Sequence, residues 1–410
     1  MAIAYLTDIE GRWEKLAAFA AANPYVTLGA DGRIDVADGA TFVFGGDAID
    51  RGPHGRRIVA ALLEAKARQP DRVVLLAGNR DINKLRLRRE LAGHPPRRAP
   101  PEMASLPRAD LLRWIFPNTM GARDAFAMRA AELAATGEDA GDEGVVESYA
   151  ADVGRDGPLT RYLAECQLAY RDGETLFVHG AVTDESLGVV PGRGGAIDGV
   201  DAWVDALNGW YGAQMDGYRS ARAADDPSVY EALVAYQAPV PGTRLNQASV
   251  VYGRLSDGIN NPHLPSPAVV ERLRASGVER LVVGHTPCGD VPAILRGAGF
   301  ELVCADNSYG RIESGSKIFV DGRHLRIAGR ARLDDGTDAE VSADVRLDDD
   351  PAPLGGRDRA SGHLVVSRLA DGGFLLFKGL DGFRVEQIAE AHDLARARST
   401  ARPHSAPFFP

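Results

Sequence analysis

Five short stretches carry the residue types that bind phosphate and divalent cations. They are "TDIEG" with Asp8 and Glu10, "GGDAIDRG" with Asp47, Asp50 and Arg51, "GNRD" with Asn79, Arg80 and Asp81, "FVHG" with His179, and "GHTP" with His285. Carboxylates, one amide oxygen and two imidazoles make a donor set for two divalent cations that share one carboxylate. Each stretch alone has an ordinary explanation, because an aspartate after a strand is commonly a helix cap or an Asx turn. Five in one chain shift the balance toward a site. "GDAIDRG" is the most specific, since two carboxylates and an arginine share one glycine-bounded turn.

These residues need elements that bring them to one place. Each follows a short apolar run and precedes a glycine or another turn former. Strand-like runs alternate with helical patterns: "AIAYLTD" precedes "RWEKLAAFAA", "ATFVFGGD" precedes "GRRIVAALLEAKAR", and "DRVVLLAGNRD" follows. Later come "GETLFVHG", "ERLVVGHT" and "FELVCADNS". The pattern marks an α/β (α+β layered) fold, in which the carboxyl ends of strands form the usual ligand crevice. The main domain is read as residues 1–310, with a mostly helical insert at about 83–170 and a cap of loops and short helices at about 184–275. Residues 311–398 read as a β-rich accessory region closing on a helical "VEQIAEAHDLARAR", and 399–410 as a disordered tail.

Bulk properties narrow the function classes. Among 410 residues, 45% are hydrophobic and 25% charged, with a formal net charge of -10. That balance suits a globular protein and argues against binding nucleic acid polymers or acidic membranes. No apolar stretch reaches the length of a membrane span, and no secretory signal opens the chain. Three cysteines without paired spacing, Cys166, Cys288 and Cys304, indicate neither a disulfide framework nor a zinc ribbon. A cytoplasmic location is the expectation; oligomeric state is not legible.

The order D-x-x-G, G-D-x-x-D-R-G, G-N-x-D, H-G and G-H-T-P resembles the calcineurin-like metallophosphoesterases, in the branch of phosphoprotein phosphatases and diadenosine tetraphosphate hydrolases. The resemblance spans residues 8 to about 308. It implies a β-sandwich flanked by helices and a dinuclear metal centre. Asp8, Glu10 and Asp47 would hold one ion, and Asp47, Asn79, His179 and His285 the other. It implies further that Arg51 binds the phosphate, and Arg254 in "VVYGRLSDG" offers a second such arginine. Asp50 and Asp306 are expected to orient turns or ligands from behind. Apart from the resemblance, the basic run "KLRLRRE" after "GNRD" reads as a solvated helix face whose position could place Lys84 or Arg86 near the mouth.

Two positions depart from the family pattern. Glu10 stands where a histidine is usual, and a carboxylate there favours Mn²⁺ or Mg²⁺ over zinc or iron. Arg80 stands where the family has the histidine thought to protonate the leaving oxygen together with the acidic residue matched by Asp81. A guanidinium cannot act as a general acid, but it can neutralise a leaving oxygen or hold a second phosphate. The expected function is a metal-dependent phosphoester hydrolase acting on a small phosphorylated metabolite or nucleotide. A phosphoprotein Ser/Thr phosphatase and a phosphate-binding pseudoenzyme are the alternatives.

Overall fold

The apolar runs form the strands of two facing sheets, in a computed structural model that describes residues 1–391 except 97–98, 222–225, 227–229, 314 and 352. The strands are β1 (Ala2–Leu6), β2 (Val26–Leu28), β3 (Ile34–Val36), β4 (Ala40–Phe44), β5 (Val73–Leu75), β6 (Ala169–Asp172), β7 (Thr175–Val178) and β8 (Arg280–Val283). They continue with β9 (Ala293–Gly297), β10 (Phe300–Cys304), β11 (Lys317–Asp321), β12 (His324–Arg332), β13 (Asp338–Arg346), β14 (Leu364–Arg368), β15 (Phe374–Gly379) and β16 (Val385–Glu390). The first sheet has the order β13-β12-β11-β1-β4-β5, and the second β6-β7-β8-β10-β9. A three-stranded sheet β14-β15-β16 and a β2-β3 hairpin complete the β structure. The fold is mixed α/β.

Within each large sheet three neighbouring strands run parallel: β1, β4 and β5 at one end of the first, β7, β8 and β10 in the middle of the second. All residues of β4, β7, β8 and β10 are buried, as expected for parallel strands covered on both faces. The sheets meet through Tyr5 of β1 and Phe177 of β7, whose rings stack with centroids 5.6 Å apart. Arg280, fully buried on β8, pairs with Glu301 of β10 at 2.5 Å and donates to the carbonyls of Gly322 and Arg323 in the β11–β12 turn. The second sheet thereby grips the first.

Helices surround this core: α1 (Trp13–Ala20), α2 (Gly55–Arg68), α3 (Asn79–Asn83), α4 (Leu87–Glu90), α5 (Arg108–Thr119), α6 (Ala125–Ala135), α7 (Asp142–Asp152), α8 (Pro158–Ala164), α9 (Val200–Ser220), α10 (Glu231–Tyr236) and α11 (Pro267–Ala275). No helix among the described residues is long and apolar enough to cross a membrane. The three cysteines are free and buried.

The structure differs from the sequence expectation in three places. The boundary drawn at residue 310 is not a break in the first sheet, because β11 pairs antiparallel with β1, Ala2 opposite Asp321. The cap at 184–275 contains α9, a helix of 21 residues, where loops and short helices were expected. Its buried residues Val200, Trp203, Val204, Leu207, Tyr211, Met215 and Tyr218 recur every three or four positions, which is the helical period. The start of "VEQIAEAHDLARAR" is strand β16, not helix, because Phe374–Gly379 offers it a full antiparallel ladder. Residues 392–410, with the rest of that stretch and the tail, lie outside the described residues.

Candidate metal and phosphate site

Six parallel strands deliver one polar turn each to the same edge of the sandwich. Asp8 and Glu10 follow β1, Asp47 follows β4, Asn79 follows β5, His179 follows β7, His285 follows β8 and Asp306 follows β10. Close approach of these turns requires glycine: a Cβ on Gly78 would collide with the backbone and carboxylate of Asp47, and one on Gly284 with the Asp8 carboxylate. The backbone is strained where the side chains converge. Asp8, Glu10, Asp47, Asp50 and His285 all have positive φ, between 48° and 116°. Such left-handed conformations cost non-glycine residues on the order of 1–3 kcal/mol each and collect at functional sites.

On one side of the site, acceptors of three strand ends face one another. His179 Nδ1 lies 2.8 Å from the carbonyl oxygen of Gly45, which can only accept, so that nitrogen carries the proton. In the neutral ring Nε2 then presents a lone pair, 3.2 Å from Asn79 Oδ1 and 3.4 Å from Asp47 Oδ1. His285 adds a buried Nε2 with no hydrogen-bond partner, on a ring 5.4 Å from that of His179. Burial, with Arg254 and His179 nearby, pushes the pKa of His285 well below the ordinary imidazole value, which keeps it a neutral ligand. Asp47, His179 and His285 form the group of metal-ligating side chains that converges among the described residues. This donor set fits a divalent cation.

On the other side Glu10 and Asp50 already have counter-charges. Glu10 Oε1 lies 2.7 Å from Arg80 Nε, and Oε2 lies 3.2 Å from Arg51 Nη1. Burial pushes the Glu10 pKa up, and the two guanidinium groups oppose that shift. Arg80 also approaches Asp47 at 3.5 Å and Asp50 at 3.8 Å. Asp50 is held in turn by Lys84 at 2.6 Å, both side chains being buried. Asp8 accepts from Thr7 Oγ1 at 2.6 Å and from the His285 backbone N–H at 3.2 Å, and burial followed by Asp306 and Asp47 raises its pKa well above the carboxylate range. Asp306 accepts from the Ser308 backbone N–H at 2.7 Å, fixing its own turn.

Some expected roles change. Asp81 was expected beside the leaving oxygen, yet it is fully buried and its oxygens accept from the backbone N–H groups of Ala48 and Gly78. It braces two turns against each other instead of facing the cavity. Lys84 is not at the mouth, because Asp50 holds it inside. Arg86 does line the cavity, bonded to Glu90, Asn83 and Thr119.

The cavity above these residues has a volume of about 710 Å³. Asp8, Glu10, Asp47, Arg51, Asn79, Arg80, Arg254, His285 and Asp306 all line it. Both inserts supply walls, through the end of α5 and its following turn and through α10. Sequence reasoning missed an aromatic rim. Tyr309 and Phe383 stack with centroids 4.8 Å apart, Arg51 lies over Tyr309 at 4.0 Å and Arg254 over Phe383 at 5.7 Å. Tyr309 follows β10 in the "DNSYG" turn, which was a readable signal. Phe383 comes from a region set apart at residue 310, so nothing local tied it to the site.

No protein-family model and no curated protein matches the chain. Solved structures with a similar arrangement include the cold-active protein-tyrosine phosphatase of the psychrophile Shewanella sp., 16% identical over 83% of this chain and 80% of that one, with a TM-score of 0.44. A protein serine/threonine phosphatase from Saccharomyces cerevisiae is 14% identical over 78% and 72%, with a TM-score of 0.35. A metallophosphoesterase from Sphaerobacter thermophilus is 13% identical over 78% and 84%, with a TM-score of 0.31. These likenesses add nothing to what the strands and their carboxyl ends show by themselves.

Proposed function

We propose that the protein is a metal-dependent phosphoester hydrolase of the calcineurin-like kind, acting on a small phosphorylated metabolite or nucleotide. The observation that carries the reading is the convergence of His179 Nε2, Asn79 Oδ1, Asp47 Oδ1 and the unpartnered His285 Nε2 beside an arginine-bearing cavity that Asp47, Asn79 and His285 line. A divalent ion held there supplies Lewis-acid polarisation of a phosphoryl oxygen and lowers the pKa of water toward neutrality. Overall, water and the phosphoester give phosphate and the free leaving group.

The chain's own residues do the rest. Arg51 reaches the cavity with one nitrogen on Glu10 and another on the Tyr309 hydroxyl, and its planar fork suits two phosphate oxygens. Arg80 stays charged, since Glu10, Asp47 and Asp50 together outweigh the effect of burial, and it neutralises charge on the leaving oxygen. A leaving group that needs no proton therefore suits the site, a phosphate or a phenol before an alkoxide. Walls from both inserts favour a small substrate over a folded phosphoprotein. Mn²⁺ accepts imidazole and carboxylate together, whereas Mg²⁺ prefers oxygen alone. The pair of ions that the motif order implies needs Glu10 released from both guanidinium groups.

Phosphate release from nucleotides, sugar phosphates, aryl phosphates and dinucleoside polyphosphates, set beside phosphopeptides and measured with and without Mn²⁺, tests the reading. Metal-dependent turnover of the small substrates is the expected result. Turnover of phosphopeptides alone would favour the protein phosphatase. Metal binding with no turnover of any substrate would favour a phosphate-binding pseudoenzyme.

A further inference from the structure

The site gathers its carboxylates around Arg80, and Asp47 alone of them also faces the two imidazoles. On the Glu10 side the Arg80 guanidinium sits among three carboxylates, with Nε 2.7 Å from Glu10 and 3.5 Å from Asp47, and Nη1 3.8 Å from Asp50. Arg80 also donates its backbone N–H to Asp47 Oδ1 at 2.9 Å, so main chain and side chain engage both oxygens of one carboxylate. Its side chain is 14% exposed, and Lys84 fixes Asp50 from behind. Arg51 supplies a second guanidinium to Glu10.

From this arrangement we infer that the protein binds one divalent ion, at Asp47, Asn79, His179 and His285, and that Arg80 is the fixed cation in the place the motif order assigns to a second. The inference rests on the metal-dependent reading above. Its basis is charge and space. A divalent ion among Asp8, Glu10 and Asp47 would stand within a few ångströms of two guanidinium groups, and both would repel it. It would also have to take Glu10 from Arg80 and Arg51, leaving Arg80 with less compensation in a buried position. A guanidinium donates N–H bonds but takes no water as a ligand, so Arg80 orients and neutralises phosphoryl oxygens without activating water. Arg80 lines the cavity, and its Nη1 has no hydrogen-bond partner within the chain. With Glu10 withdrawn, two imidazoles, one carboxylate and one amide oxygen remain to select the ion.

The test is the ion count of the intact protein. Wild-type protein is loaded with MnCl₂, freed of excess by gel filtration, and assayed for manganese per chain and by electron paramagnetic resonance. One ion per chain with the spectrum of isolated Mn²⁺ is expected. Arg80→Ala frees Glu10 and Asp47, and the count is expected to rise to two, with the exchange coupling of a pair about 3.5 to 4 Å apart. Two coupled ions in the wild type overturn the inference and leave the metal-dependent reading intact. No retained ion overturns both. A count of one in folded Arg80→Ala shows that Arg80 is not what excludes the second ion, and also overturns it. Should that variant not fold, the wild-type count alone decides.

Discussion

The two sides of the cavity solve the same electrostatic problem in opposite ways. Both gather acceptors and carboxylates at strand ends, in backbone conformations that only tight packing maintains. On the histidine side Asp47, Asn79, His179 and His285 face one another, and in the proposed reading the charge that joins them comes from solution. On the arginine side Glu10, Asp47 and Asp50 receive their charge from Arg80, Arg51 and Lys84 within the chain itself. An ion from solution exchanges and can carry water, whereas a side-chain cation is permanent and rigid. In the proposed function the first side activates and the second holds.

The contrast breaks most sharply at Asp47, which serves both sides. Asp47→Asn should abolish manganese retention and lower the rate of phosphate release by about 10³-fold, the scale of losing one strong electrostatic element at a reaction centre. Retained metal and near-normal rates would remove Asp47 from the centre.

Next in size is the buried pair behind the arginine side. Lys84→Met leaves Asp50 with only the more distant Arg80 and should cost about 3 kcal/mol in urea unfolding of the metal-free protein. Lys84→Met with Asp50→Leu should cost much less than the two single changes added together. Manganese content should stay at the wild-type value, because Lys84 touches no residue of the histidine side. Loss of metal in folded Lys84→Met would show that the two sides are coupled.

A smaller effect is expected at the rim. Tyr309→Ala frees one nitrogen of Arg51 and removes the ring beneath its guanidinium. KM should rise by about 3- to 10-fold with kcat little changed, in keeping with about 1 kcal/mol for such a contact. A fall in kcat alone would place Tyr309 nearer the reacting atoms.

The smallest expected effect is a shift in pH response. The charge of Arg254 helps hold His285 neutral. In Arg254→Ala the His285 pKa should rise toward about 6.5, so protons compete with the ion sooner as pH falls. Manganese release on acidification should therefore move to higher pH than in the wild type, followed by the free Mn²⁺ signal. An unmoved midpoint would mean that burial alone sets His285.

Much of the histidine side was legible in the sequence, because each residue closes an apolar run and opens a turn. Asn79 and His179 needed only the rule that parallel strands present their carboxyl ends to one crevice. The grip of Arg80 on Glu10 was not legible. The two residues are 70 positions apart, and only the order β1-β4-β5 brings their turns together. Asp81 was misread because a carboxylate beside a candidate site looks reactive in sequence, while its bonds to Ala48 and Gly78 exist only once the strands pack. The helical period of α9 was present in its apolar residues and was obscured by the prolines and glycines around it. β16 was hidden for another reason, since a strand whose ladder comes entirely from β15 need not look like one locally.

The pairing of β1 with β11 sets a minimum length for a working site. A chain shortened after residue 310 keeps every side chain proposed to bind the ion, but strips β1 of one of its two neighbours, leaving an open edge directly under the turn of Asp8 and Glu10. The same pairing delays completion during synthesis: the second residue of the chain finds its partner only when Asp321 has emerged. Until then the early segment, with Asp8, Glu10, Asp47 and Arg80, is an unfinished sheet, and its acidic turns cannot select an ion or a phosphate.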